Sequence, residues 1–150
     1  YGLFNEIYMC IPDMSLQTLE NNPFEGIPQE NMFTSFNEEF VDFIDEKTEE
    51  NYKKGFDTLV LIDDAASKIR ASQKLSGKLS DILLTHRHRK TTVWIAIQDF
   101  YQVPPNVRSN ITAIYVFKQQ NEKRKKLFKD EFLSFLNDSE VEQLYSLIYK

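Results

Sequence analysis

Thr58-Leu59-Val60-Leu61-Ile62-Asp63-Asp64 decides how the rest of the chain is read. A Thr and four aliphatic residues in a row predict a strand. An unbroken run fits a strand covered on both faces, as in a parallel sheet, better than one with a wet face. Val93-Trp94-Ile95-Ala96-Ile97, closed by Gln98, repeats the pattern as a second covered strand. Upstream, Glu6-Ile7-Tyr8-Met9-Cys10-Ile11 is a short apolar run stopped by Pro12-Asp13, and downstream Thr112-Ala113-Ile114-Tyr115-Val116-Phe117 runs into Lys118-Gln119. Four strands are therefore expected.

Helical periodicity fills the intervals. Phe36, Phe40, Phe43 and Ile44 recur at helical spacing behind Ser35 and Glu38, the spacing of a capping box, and the polar stretch Glu46–Lys54 follows before Gly55 breaks the chain. Leu75, Leu79, Ile82 and Leu83 predict a helix leading into the basic stretch His86–Lys90. Pro104-Pro105 opens a turn or short helix. Two C-terminal helices follow, one on Leu127, Phe128, Phe132 and Phe135, the other on Val141, Leu144, Tyr145 and Ile148 with Ser139 and Glu142 as its capping box. Residues 21–29, with Pro23, Gly26 and Pro28, read as a loop. Alternating strands and helices imply right-handed crossovers, hence an α/β fold with a mostly parallel sheet flanked by helices.

Composition narrows the function. The chain has 150 residues, 41% hydrophobic and 27% charged, which is too apolar for a disordered segment and allows one domain with one core. With 4 Gly, 5 Pro and 1 Cys, collagen-like, disulfide-rich and low-complexity classes are excluded. No apolar run nears the roughly 20 residues of a membrane helix. Residues 1–12 carry Glu6 and no Lys or Arg, so a secretory signal is not expected, and an intracellular protein is. The net charge of −5 hides an asymmetry: residues 1–64 sum to −12 and residues 65–150 to +7. Such a chain can turn a basic face to a polyanion, or simply carry two solvated faces.

In a parallel α/β sheet, ligands bind at the C-terminal strand ends. Four apolar residues followed by two acids form a Walker B pattern, in which Asp63 is aimed at Mg²⁺ and Asp64 orients or deprotonates an attacking water. Asp at a strand end also serves ordinary turn hydrogen bonding. Gln98 ends the next strand, where its amide suits both a γ-phosphate and a water, or merely faces solvent. Arg87, Arg89 and Lys90 form a basic loop whose guanidinium groups suit phosphate recognition. Arg108 is either a phosphate sensor or a helix-end ion-pair partner. Lys123, Arg124, Lys125 and Lys126, with Lys129, are candidate DNA-phosphate contacts or a solvated helix face. His86 and His88 lack further ligands for zinc, so a zinc site is excluded. Cys10 reads as a core residue.

Leu59–Asp64, then Arg87-His88, then Val93–Gln98, then Val103-Pro104-Pro105-Asn106-Val107-Arg108-Ser109-Asn110 stand in a defined order and spacing. Together they resemble the genome-packaging ATPases of large double-stranded DNA viruses, the poxvirus-type branch of the FtsK–HerA superfamily; Ile7–Asp13 is similar to that family's strand and Pro-containing turn after the P-loop helix. The resemblance implies a RecA-like P-loop NTPase using ATP and Mg²⁺. It further implies a homo-oligomeric ring at a capsid portal vertex, acting on double-stranded DNA in the host-cell cytoplasm, viral factory or virion. By position, Asp63 would bind the Mg²⁺ shell, Asp64 act as base, Gln98 sense the γ-phosphate and Arg87 serve as the arginine acting in trans, with no role assigned to Arg108. The family's G-x-x-x-x-G-K-[ST] loop has no counterpart here, since only Gly77 precedes a Lys. The expectation is one partial ATPase domain over residues 1–150, truncated at its N-terminus and inactive alone. Another FtsK–HerA-type translocase and a non-catalytic α/β binding module are the alternatives.

Overall fold

A computed structural model describes residues 2–13, 24–117 and 121–149. The chain divides into two compact units, Tyr1–Ile111 and Thr112–Lys150. No helix among the described residues is long and apolar enough to cross a membrane.

The first unit is an α/β fold built on a four-stranded, all-parallel sheet flanked by helices. Its strands are β1 (Glu6–Cys10), β2 (Met32–Phe33), β3 (Thr58–Asp63) and β4 (Thr91–Ala96), in the spatial order β2-β1-β3-β4. The register sets Tyr8 beside Val60 and Val60 beside Val93, and likewise Cys10, Ile62 and Ile95. Because side chains alternate, these six residues share one face, and all join one apolar cluster. Helix α1 (Glu38–Lys53) adds Phe40, Val41 and Ile44, α2 (Ala66–Ala71) adds Ile69, and α3 (Gln73–Thr85) adds Leu75, Leu79, Ile82 and Leu83.

The ends of α1 show why it forms where it does. Asn37, not Ser35, is the N-cap and accepts from the Phe40 amide at 2.9 Å. At the other end Gly55 adopts φ +78°, with Gly55 N–H donating to Tyr52 O and Phe56 N–H to Asn51 O, both at 2.9 Å. This paired termination needs a left-handed residue, which Gly supplies without steric cost. Asn51 is itself buried and donates to Tyr8 Oη (3.2 Å) and Thr58 Oγ1 (3.1 Å), tying the helix end to β1 and β3.

Two expectations for the strands need correction. Val93–Ile97 is not covered on both faces: Trp94 is 58% exposed and Ala96 is exposed. Met9, Leu61 and Trp94 lie in register on the second sheet face, and their exposure rises from 0% at Met9 to 58% at Trp94. The cover of that face therefore thins toward β4, the edge strand among the described residues. Thr112–Phe117 belongs to the second unit and has no regular secondary structure, with Tyr115 90% and Phe117 85% exposed. Its composition favours a strand, yet a strand persists only where a neighbouring backbone pairs with it; the Val116 carbonyl instead accepts from the Tyr149 hydroxyl at 2.6 Å. Lys118-Gln119 and part of the loop read over residues 21–29 lie outside the described residues.

The second unit also holds α5 (Glu122–Phe132) and α6 (Asp138–Ile148). The capping box of α6 is made by Asn137 and Glu140, two residues before the Ser139–Glu142 pair suggested by spacing. Lys125 joins the helices, with Nζ 3.0 Å from Glu142 and 4.8 Å from the Tyr145 ring centre; Lys129 pairs with Asp138.

Candidate functional site

The C-terminal rim of the parallel sheet holds the acid pair at the end of β3, and Gln98 follows the end of the neighbouring β4. Asp63 closes β3 in register with Ala96, the last residue of β4. The Asp64 amide then donates to the Ala96 carbonyl at 3.2 Å, extending the pairing by one residue past the ladder. Gln98 stands two residues beyond Ala96. Ile97 still packs against the core cluster, and Gln98 is exposed.

Asp63 is half-buried and Asp64 exposed. Asp64 holds φ 52°, a left-handed conformation that few residues other than Gly adopt, though Asp and Asn tolerate it best. The chain reverses there and enters α2 behind buried Ala65 and Ala66. Cys10 lies against the same strand tip: burial, reinforced by the nearby Asp63 carboxylate, pushes its thiol pKa up to about 12. A buried thiol of that kind is an inert core group, not a nucleophile.

No set of three or more His, Cys, Asp or Glu able to cage a metal exists among the described residues. The donor set is thus two adjacent carboxylates and an amide. That set suits Mg²⁺, which binds through one or two carboxylates while keeping waters and phosphate oxygens, and does not suit a dedicated all-protein cage. Gly77-Lys78 is no phosphate loop: Gly77 lies inside α3, and the Lys78 ammonium pairs with Asp42.

The remaining basic residues fall elsewhere. Arg87 lies in the turn from α3 to β4, at the N-terminal rim, and the six residues of β4 at about 3.3 Å each separate it from Gln98 by roughly 20 Å. Arg108, in α4 (Pro105–Arg108), stacks against Phe100 (5.3 Å) and Tyr101 (5.5 Å) and donates to the Val103 carbonyl at 3.1 Å. Lys123, Arg124 and Lys126 are exposed on α5, whereas Lys125 is held between α5 and α6.

Two structural devices escaped the sequence reading. Asn106 Oδ1 accepts from Ser76 Oγ (3.0 Å), its carboxamide nitrogen donates to the Ser76 carbonyl (3.2 Å), and its own carbonyl accepts from Ser80 Oγ (3.1 Å) and Asn110 (2.8 Å). The Pro-Pro-Asn segment is thereby bolted to α3; two serines four apart on a helix carry the only signal in the sequence. The second device is the acidic face of α1, where Glu38 pairs with Lys74, Asp42 with Lys78 and Asp45 with Arg89. Part of the charge asymmetry between the chain's halves is thus neutralised inside the first unit. No protein-family model, curated protein or solved structure matches the chain.

Proposed function

We propose that these 150 residues are part of a RecA-like P-loop ATPase of the FtsK–HerA type, a motor that packages double-stranded DNA into viral capsids. The observation that carries the reading is Asp63-Asp64 at the end of β3, paired to the end of the adjacent parallel β4, with Gln98 two residues past that end. Asp63 holds the hydrated Mg²⁺ of an Mg–ATP complex, Asp64 takes the proton of the attacking water, and Gln98 orients that water against the γ-phosphate. The phosphate cradle and its Lys come from sequence outside these residues.

Arg87, some 20 Å from that rim, is too far to serve the same nucleotide. It serves the nucleotide of a neighbouring copy, which requires head-to-tail contact and, on closure, a ring. Exposed Lys123, Arg124 and Lys126 contact DNA phosphates without reading bases.

The test uses the complete gene product. Asp64→Asn keeps the shape of the side chain but removes the base, so turnover falls by about 10²–10⁴ while nucleotide binding persists. Undiminished turnover refutes the assignment. A non-catalytic α/β binding module is the second reading, favoured by Gly77 lying inside a helix and Lys78 being held in an ion pair; a complete protein that binds no ATP selects it.

A further inference from the structure

We infer that Arg89 is a positioning residue, which holds the loop His86–Lys90 so that Arg87 is presented to the nucleotide of a neighbouring copy; this rests on the proposed ATPase function.

The loop backbone is fastened throughout, Arg87 included, whose carbonyl accepts from Lys90 N–H at 3.4 Å. The Thr85 carbonyl accepts from the amides of His88 (2.9 Å) and Arg89 (3.1 Å), and the His86 carbonyl accepts from Thr91 N–H (2.8 Å). The His86 ring nitrogen Nδ1 lies 2.5 Å from the Leu83 carbonyl. Lys90 takes the left-handed conformation (φ 49°), accepts from Thr58 N–H at 3.1 Å and donates through Nζ to the Gly55 carbonyl at 3.3 Å.

Arg89 makes the loop's side-chain connection to α1. Its Nη1 donates to Asp45 Oδ1 (2.5 Å), the Asp45 carbonyl (3.1 Å) and Thr48 Oγ1 (3.4 Å), and Nη2 lies 3.8 Å from Glu49. Thr48 is buried, so the guanidinium reaches to the floor of the helix and is not merely part of a surface ion pair. Of the loop's cations, Arg89 and Lys90 are thus engaged. Arg87 is exposed, and while its carbonyl accepts from Lys90 N–H at 3.4 Å, its guanidinium makes no hydrogen bond or ion pair among the described residues. A cation left over on a braced loop is the arrangement that favours an anion brought by another molecule, because little order remains to be imposed on binding.

A double-mutant cycle on the complete protein tests this through ATP turnover. Arg87→Ala is expected to lower kcat by about 10³-fold or more, the scale of losing an arginine acting in trans. Arg89→Ala lowers it about 10²-fold with KM for ATP unchanged, the scale of misplacing a reacting group by about 1 Å. Since Arg89 acts through Arg87, the double variant is no slower than Arg87→Ala alone. Arg89→Lys retains the charge opposite Asp45 but lacks the second arm toward Thr48 and Glu49, so it folds and shows an intermediate loss. Multiplying losses in the double variant, or full activity in Arg89→Lys and Arg89→Ala, overturns the positioning role alone. A wild-type protein without ATPase activity overturns the proposed function and this role with it.

Discussion

Replacing Asp64 in turn by Asn, Gly and Ala separates its backbone from its chemistry. The residue is exposed, so truncation removes no packing, and the stability effect comes from φ 52°. A Cβ in the left-handed region costs about 1–2 kcal/mol; Asn, like Asp, offsets part of this by local hydrogen bonding, and Gly avoids it. The expected order of stability is Gly at or above Asp, Asn equal to Asp, and Ala lower by about 1 kcal/mol. For a unit of this size that is a drop in Tm of about 4 °C, readable by calorimetry or circular dichroism. ATP turnover does not follow that order: all three variants lose about 10²–10⁴-fold in kcat, because each lacks the carboxylate. If Ala and Gly melt together, the left-handed turn is wrong. If Asn or Gly turns over ATP at the wild-type rate, the base is wrong.

Further expectations follow from packing and charge. Phe40, 1% exposed and edge-on to Phe33 at 5.1 Å, leaves a core cavity when replaced by Ala, with a loss of about 3–5 kcal/mol in urea unfolding. Cys10 has its thiol pKa raised from 9.0 to about 12, so the unfolded chain loses that proton first. The stability it contributes is complete below pH 9 and is lost as pH rises from 9 to 12; Cys10→Ala flattens this part of the urea-midpoint curve, and an unchanged curve contradicts it. Asn106→Ala strands the Ser76 hydroxyl, while the main-chain carbonyl that Ser80 bonds is kept, and is expected to cost about 1–3 kcal/mol, visible as faster amide exchange over residues 104–110. Lys123→Ala and Lys126→Ala each reduce the salt slope of DNA binding by about 1, equally for all sequences, while Lys125→Ala loosens the α5–α6 pair.

Strands β1 and β3 were legible because their apolar runs are uninterrupted, and adjacency of β3 and β4 follows from sequential strands joined by a crossover that carries α2 and α3. Thr112–Phe117 misled because composition reports what a backbone would tolerate, not whether a neighbour is there to pair with it. Trp94 misled for a related reason: its run reads as covered, but at the sheet edge the cover runs out. Helix caps slipped by two residues because Asn competes with Ser for the same task, and Asn37 and Asn137 won. The acid pair was found as a strand terminator, a feature local in sequence, whereas the strand expected to close at Gln98 ends two residues earlier, at Ala96. The Arg89–Asp45–Thr48 clamp spans 41–44 positions and left no local trace.

The measurement that bears most directly on the shared rim is ATP turnover by the complete protein carrying Asp63→Asn or Gln98→Ala, with nucleotide affinity followed in parallel. One pocket served by both strand tips predicts that each change lowers kcat about 10²-fold or more while ATP still binds. Wild-type turnover from either variant contradicts it.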